Sequence, residues 1–345
     1  MYKYYLSLLI TTFSFTSSYA QSADGETGHI PQIHGTLRGK YELQTETGRG
    51  RFEVRNARVS VSGNVIKDVE YKAEIDLCDE GKIKMLDAYA RFKPIAGLDF
   101  TIGQMRVPFS IDAHRSPHSQ YFANRSFIAK QVGNVRDVGC ILGYNLNVGF
   151  PIVLQGGFFN GSGLTEQKDF WSNSVNYSAK AQFMLPGGFD IALSTQKIKP
   201  DNVDVSLYDI GAFYHAHGWH IEIEYLLKHY SDGAFRNVSA VDAFINYDIP
   251  LKKCFFNKIS PLIRYDYVGD HSDGKRYIDN AVNENGMLII NDYQRSRITG
   301  GVTLSLAQPF ISDIRINYEK YFYRKGSIPK ISERDKVVIE FMTRF

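Results

Sequence analysis

The sequence lacks most of what a helical membrane protein, a metalloenzyme or a nucleic-acid binder needs. Beyond Ala20 no run approaches the roughly eighteen apolar residues of a spanning helix, so any membrane crossing must be made by strands. Only three cysteines occur, Cys78, Cys140 and Cys254, at wide and irregular spacing with no CxxC or Cys/His pattern. They read as isolated thiols or as one disulfide and a remainder, and no metal or cofactor is expected. Formal net charge is only +3, and +2 once the first twenty residues are set aside, which gives no reason to expect nucleic acid as a partner. Hydrolase motifs such as GxSxG are missing. His114, Ser116 and His118 crowd one loop without the strand-turn-helix context of a nucleophile, so the reading is not an enzyme. His215, His217 and His220 have no carboxylate cluster beside them and read as solvated turn histidines.

What is present is the material of strands and turns. The chain holds 23 Phe, 22 Tyr and 29 Gly against 11 Pro. Residues 1–20, MYKYYLSLLITTFSFTSSYA, combine one lysine, a short apolar stretch and a small-x-small end, as in a secretory signal peptide. Residues 21–29 form a polar leader, and residues 30–345 read as a single domain without repeat or linker.

About sixteen stretches alternate with period two. In WHIEIEYLL, Trp219, Ile221, Ile223, Tyr225 and Leu227 take one face and His220, Glu222 and Glu224 the other, a two-faced strand that a helix does not produce. Tight connections such as PIAG, LPGG and HAHG alternate with longer polar ones, the signature of an outer-membrane meander. The last stretch, KVVIEFMTRF, places Val337, Ile339, Phe341, Thr343 and Phe345 on one face and stops on an aromatic residue. In this it resembles the final strand of bacterial outer-membrane barrels. The expected fold is all-β: a transmembrane antiparallel β-barrel of about sixteen strands in the outer membrane of a Gram-negative bacterium, lipid outside and an aqueous lumen inside.

One segment breaks the alternation. Residues 101–136 carry Arg106, Arg115, Arg125, Lys130 and Arg136 against Asp112 alone, a local +4 that exceeds the net charge of the whole chain. The strand count makes 107–134 the third external loop. Phe109, Ile111, Tyr121, Phe122, Phe127 and Ile128 suit it for packing inside the barrel, with the cations turned to the remaining water. Arginine suits oxyanions because its planar fork donates two hydrogen bonds and keeps its charge. Arg106, Arg115, Arg125, Lys130 and Arg136 are therefore the candidate constriction residues. The alternative is that Arg125 and Arg136 pair with acids such as Asp112 or Asp137 and hold the loop. On strand two the phase changes near Arg55-Asn56, which suggests a bulge turning Arg55 and Arg58 inward, with Arg38 of strand one beside them, as anion contacts or as plain solvated charge. Tyr41, Tyr71, Phe92, Phe100, Tyr144, Trp219, Tyr267 and Phe341 read as an interfacial girdle or, alternatively, a stacking path for sugars.

FEVRNARVSVSGNV (52–65), GQMRVPFSIDAHRSPHSQYFANRSF (103–127) and RDVGCILGY (136–144) resemble the phosphate-selective porin O and P family. The resemblance implies a sixteen-stranded trimeric porin whose third loop narrows the lumen, with arginines and lysines passing small anions, phosphate among them. A general diffusion pore and a structural or adhesive surface barrel are the competing functions.

Overall fold

The computed structural model describes residues 30–79, 82–133, 135–164, 167–168, 171, 173–199, 203–231, 235–252, 255–271, 292–306, 311–325, 327, 329 and 331–345. The expected signal peptide and leader, Cys254, the turn 307–310 and most of the 269–286 loop lie outside these residues.

Seventeen strands follow one another as β1 (Gln32–Gln44), β2 (Gly50–Ile66), β3 (Val69–Asp79), β4 (Lys82–Ile95), β5 (Leu98–Arg106), β6 (Arg136–Asn147), β7 (Pro151–Phe159), β8 (Asn176–Leu185), β9 (Phe189–Ile198), β10 (Val205–Ala216), β11 (Trp219–Tyr230), β12 (Val238–Tyr247), β13 (Ile249–Pro250), β14 (Phe256–Val268), β15 (Arg295–Leu306), β16 (Ile311–Tyr323) and β17 (Lys336–Arg344). Each is antiparallel to its neighbours. β12 and the two-residue β13 share the partner β14, so they count as one interrupted strand and the wall has sixteen positions. β1 pairs with both β2 and β17, which closes the ring and leaves no edge strand, as hydrocarbon requires.

The pleat decides which way each residue points. On β11, Trp219, Ile221, Ile223 and Tyr225 are exposed while His220, Glu222, Glu224 and Leu226 are buried, the reverse of a soluble sheet. The same outward apolar face recurs in Ile339 and Phe341 on β17 and in Ile210 on β10. Phe92, Phe100, Tyr144 and Trp219 of the expected girdle are exposed on this outer surface. Tight turns close β2–β3, β4–β5, β8–β9 and β10–β11 at one end, and the 107–135 connection lies at the other. The first two connections at that far end are also short, with only two residues between β3 and β4, so the expected length asymmetry begins with the third.

The register between β1 and β2 shifts where Arg38 faces Asn56 and Gly39 faces Val54. Arg55 is the extra residue, which puts the bulge where the phase change predicts it. Cys78 and Cys140 are free thiols.

The buried apolar core lies mostly toward one side of the lumen, with Ile141 of β6 and Phe159 of β7 also in it. Met105, Val107, Phe109, Phe127 and Ile128 pack with Val205, Leu207, Leu226, Val238, Ala240 and Val268, so the apolar part of the 107–135 segment lies on the inner face of β10–β14.

Candidate functional site

The segment 107–135 contains a 3-10 turn, Pro117–Ser119, and one short helix, α1 (Ile128–Gln131). Its neck is tied by Val107 N–H donating to the Val135 carbonyl at 3.0 Å. Beyond the neck its polar partners are inward-facing groups of the wall. On β8, Ser178 Oγ donates to the Pro108 carbonyl at 2.8 Å and Lys180 Nζ to the Ser110 carbonyl at 2.6 Å. On β11, Glu224 accepts from Ser110 Oγ (2.6 Å), Ile111 N–H (2.6 Å) and Asp112 N–H (3.1 Å). Ser110 sits at φ 63°, a left-handed conformation that turns those successive donors toward one carboxylate. Gly211 on β10 supplies the room beside it, because a Cβ there would lie 2.4 Å from Ile111 Cδ1.

Further along, Ala123 N–H donates to Asn317 (2.9 Å), Asn124 Nδ2 to Glu319 (2.9 Å) and Phe127 N–H to Asp266 (3.2 Å). Arg264 and Arg297 donate to the carbonyls of Asn124 and Arg125 at 3.0 and 2.8 Å. Phe127 is fully buried between the guanidinium groups of Arg295 and Arg297, 4.8 and 4.9 Å from its ring centre. Tyr121 and Phe122 pack on Phe244 of β12. These contacts run from β8 round to β16, and they hold the segment to that side of the lumen.

The cations singled out from the sequence divide by partner. Arg115 donates to Glu222 at 2.6 Å and lies over Tyr121. Burial acts against its charge, but Glu222 and Asp112 outweigh it and raise its pKa further. Arg125 donates to the backbone carbonyls of Asp112 and Arg115, and burial pushes it down to about 10. Lys130 pairs with Glu333 at 2.6 Å. Arg136 pairs with Asp87 (2.6 Å) and Glu74 (3.3 Å), acids from β4 and β3 rather than the adjacent Asp137. Asp112 is buried and accepts from Ser126 N–H and Oγ; the charges of Arg125 and Arg115 overcome its desolvation and hold it below the usual carboxylate range. Arg38 is bound to Glu340 and to the Ala123 carbonyl, which makes it a prop for the segment. Arg58 pairs with Asp76 at 2.9 Å, and Arg55 lies 3.6 Å from Glu53 with its side chain half exposed. Arg106 donates to the carbonyls of His114 (3.0 Å) and Arg115 (3.4 Å).

Two cavities, of about 260 and 220 Å³, lie between residues 114–118 and the facing wall, made of β1–β7 and, in the second, Arg344 of β17; they share Lys72 and Ser116. Lys72, Arg91 and Arg106 line the first with Asp87 and Asp99; Arg58, Lys72 and Arg344 line the second with Glu74. Five distinct cations thus face three carboxylates. His114 and His118 add no charge at neutral pH: burial first, then nearby cations, holds them down at about 3 and about 4. His118 Nε2 accordingly accepts from Arg344 Nη1 at 2.7 Å.

Lys72, Arg91 and Arg344 were not singled out as contact residues from the sequence, although the alternation of β3, β4 and β17 already turns them inward. His220 is a correction. It is buried, stacked on Tyr121 at 4.5 Å and 3.1 Å from Glu222, because the strand begins at Trp219 and its second residue faces the packed lumen rather than turn solvent. No grouping of His, Cys, Asp and Glu fit for a metal occurs among the described residues.

OmpT of Vibrio cholerae, an outer membrane protein in a trimer form, is similar with a TM-score of 0.62 at 13% identity, over 92% of this chain and 98% of that one. OprB of Pseudomonas putida gives 0.62 at 10% identity, over 91% and 93%. An anion-selective porin from Comamonas acidovorans gives 0.57 at 10% identity, over 91% and 98%. At such identities these likenesses carry the fold alone. Comparison with curated protein sequences finds no match. The family model described as phosphate-selective porin O and P matches residues 34–210, just over half of the chain and the half that holds the bulged β2, the 107–135 segment and most of the cation-lined wall. A closed sixteen-position barrel with this match is an outer-membrane channel protein, and the chain belongs to the phosphate-selective porin O and P family.

Proposed function

We propose that the protein is a passive channel for small anions of the phosphate type, working as a homotrimer in the outer membrane. Solute passes between residues 114–118 and the β1–β7 wall. The observation that carries this reading is the excess of cations at the two cavities, five against three carboxylates. Arg106 matters most there, because its hydrogen bonds go to neutral carbonyls and leave its charge uncompensated by direct pairing. Arg58, Lys72, Arg91 and Arg344 extend the track. Arg115, Arg125, Lys130 and Arg136, bound to acids or backbone, fix the segment and add to the background potential.

In a narrow lumen with low-dielectric walls such a field is screened less than on an open surface. Conduction needs several weak sites rather than one strong one, and cations already sharing carboxylates provide that. The anion selectivity of the Comamonas porin agrees with this reading at the level of fold.

The test is the reversal potential of the folded protein in a planar bilayer under a potassium chloride gradient, followed by phosphate titration at constant chloride. Anion preference, chloride current reduced by phosphate, and relief in Arg106→Gln are expected. A large, unselective current indifferent to phosphate makes it a general diffusion pore, a reading favoured by the many lumen arginines that are fully paired, such as Arg297 with Asp266 and Glu319.

A further inference from the structure

On the outer face of β6–β11, away from the solute passage, an apolar groove of about 750 Å³ is cut into the surface that faces hydrocarbon. Leu142 and Tyr144 of β6 form one bank and Tyr208 and Ile210 of β10 the other, all exposed. Gly156 of β7 and Ala179 and Ala181 of β8 form the floor. Strand pairing fixes their levels. Leu142, Gly156, Ala179, Thr195 and Tyr208 stand side by side in one row, and Tyr144, Leu154, Ala181, Leu193 and Ile210 in the next row toward the tight turns.

Packing within the chain does not require that hollow. A glycine weakens a strand, and it is usually excused by a left-handed backbone or by a neighbour too close for a side chain. Gly157 has the second excuse, since a Cβ there would lie 2.5 Å from the Cys140 carbonyl oxygen. Gly156 has neither: its φ is not positive, and a Cβ there would meet nothing within 4 Å. The space above it opens to a molecule outside the barrel.

The row on the other side of the groove, toward the long connections, holds Phe158, Tyr177, Lys197, Ser206 and His229. It is polar where the rows of the groove are apolar, and it lies at the strand ends, the level of lipid headgroups. The Lys197 side chain is 37% exposed, and the Asp204 oxygen 3.5 Å away accepts no hydrogen bond, so the ammonium keeps its donors. At the opposite end the bulky row of Ile152, Phe183 and Ile191 terminates the groove. From Tyr177 to Phe183 is about 20 Å along the strand, or about 15 Å of depth at a tilt of about 40°, close to half of a hydrocarbon core.

We infer that this groove holds an anionic, phosphate-bearing lipid, with an acyl chain along Gly156, Ala179 and Ala181 and the phosphate against Lys197 and the Tyr177 hydroxyl. A chain lying there touches protein on its floor and both banks, whereas on a flat stretch of wall it touches protein on one side. A second copy of this chain is the rival occupant, and an ammonium at the groove's mouth favours a lipid phosphate over another apolar wall. The inference needs only the barrel in a membrane, not the anion passage.

The test is native mass spectrometry of the folded protein from a polyoxyethylene detergent, after addition of dimyristoyl phosphatidylglycerol or of phosphatidylcholine with the same chains. Retention of phosphatidylglycerol about fivefold above phosphatidylcholine is expected, the difference one lysine near the headgroup makes. Ala179→Phe/Ala181→Phe, which fills the floor from outside, should weaken retention of both lipids about tenfold. Lys197→Gln should abolish the preference and leave chain binding. Gel mobility before and after heating shows that each variant barrel has formed. No retained lipid, no preference between the two lipids, or equal retention by the filled variant overturns the inference. A filled variant that loses its oligomer on a non-denaturing gel overturns it too and assigns the groove to a neighbouring copy. Conduction enters none of these readouts, so a failed selectivity measurement is read separately.

Discussion

Glu224 of β11 accepts hydrogen bonds from the hydroxyl of Ser110 and from the next two backbone amides, Ile111 and Asp112. A single carboxylate thereby seats the start of the inward segment, and the left-handed backbone of Ser110 brings the donors round to it.

Glu224→Ala should release that seat. Two backbone amides, that of Asp112 buried and that of Ile111 partly so, lose their acceptor, at up to about 1–3 kcal/mol each, and the segment gains freedom in the lumen. Single-channel recordings are expected to show larger mean conductance and more current noise, and external protease should cut between 107 and 135. Unchanged noise and protection would mean that the remaining contacts, to β8, β12 and β14–β16, hold the segment without Glu224.

Arg115→Ala should cost stability before it changes selectivity. Glu222 has no exposed side-chain surface, and it loses a cation 2.6 Å away. Removing one partner of a buried pair typically costs about 3–5 kcal/mol. The temperature at which the folded band disappears on a gel should fall clearly, whereas Arg106→Gln should lower it little and shift the reversal potential instead.

Acid should unseat the tip of the segment. The pKa of His118 is held down at about 4, by burial and then by the neighbouring Arg344. This lies below the value near 6.5 of an unfolded chain, which therefore takes up the proton first. The stability that neutral His118 contributes is complete above about pH 6.5 and is lost as pH falls from there through about 4. Once protonated, the imidazole no longer accepts from Arg344 and faces it as a like charge. Channel closure or noise should rise between pH 5 and 3, and His118→Gln, which keeps an acceptor without titrating, should flatten that response. A profile identical to the unaltered protein assigns the acid effect elsewhere, His114 being the next candidate.

The outer face should refuse charge. Ile223 is more than half exposed in the middle of β11. Ile223→Lys places an ammonium against hydrocarbon and should cost about 2–4 kcal/mol in a lipid refolding titration. His229→Lys, near the outer end of the same strand, should cost much less.

The sequence by itself determined the wall. Period-two alternation needs only neighbours along one chain, so the faces of β11 and β17, the bulge beside Arg55 and a count of about sixteen strands could be read directly. It also marked 107–134 as exceptional, and Phe109, Phe122, Phe127 and Ile128 as packing residues, since a long connection rich in aromatics has no reason to stay in water. Only the tertiary structure decided which partner each cation meets. Arg136 meets Asp87 and Glu74, and Arg115 meets Glu222, over 49, 62 and 107 positions. An ion pair depends on which strands stand opposite when the ring closes, and local pattern carries no record of that. For the same reason the segment's lean toward β8–β16 and the open cation-lined side against β1–β7 appear only once the barrel is closed and its interior shared out.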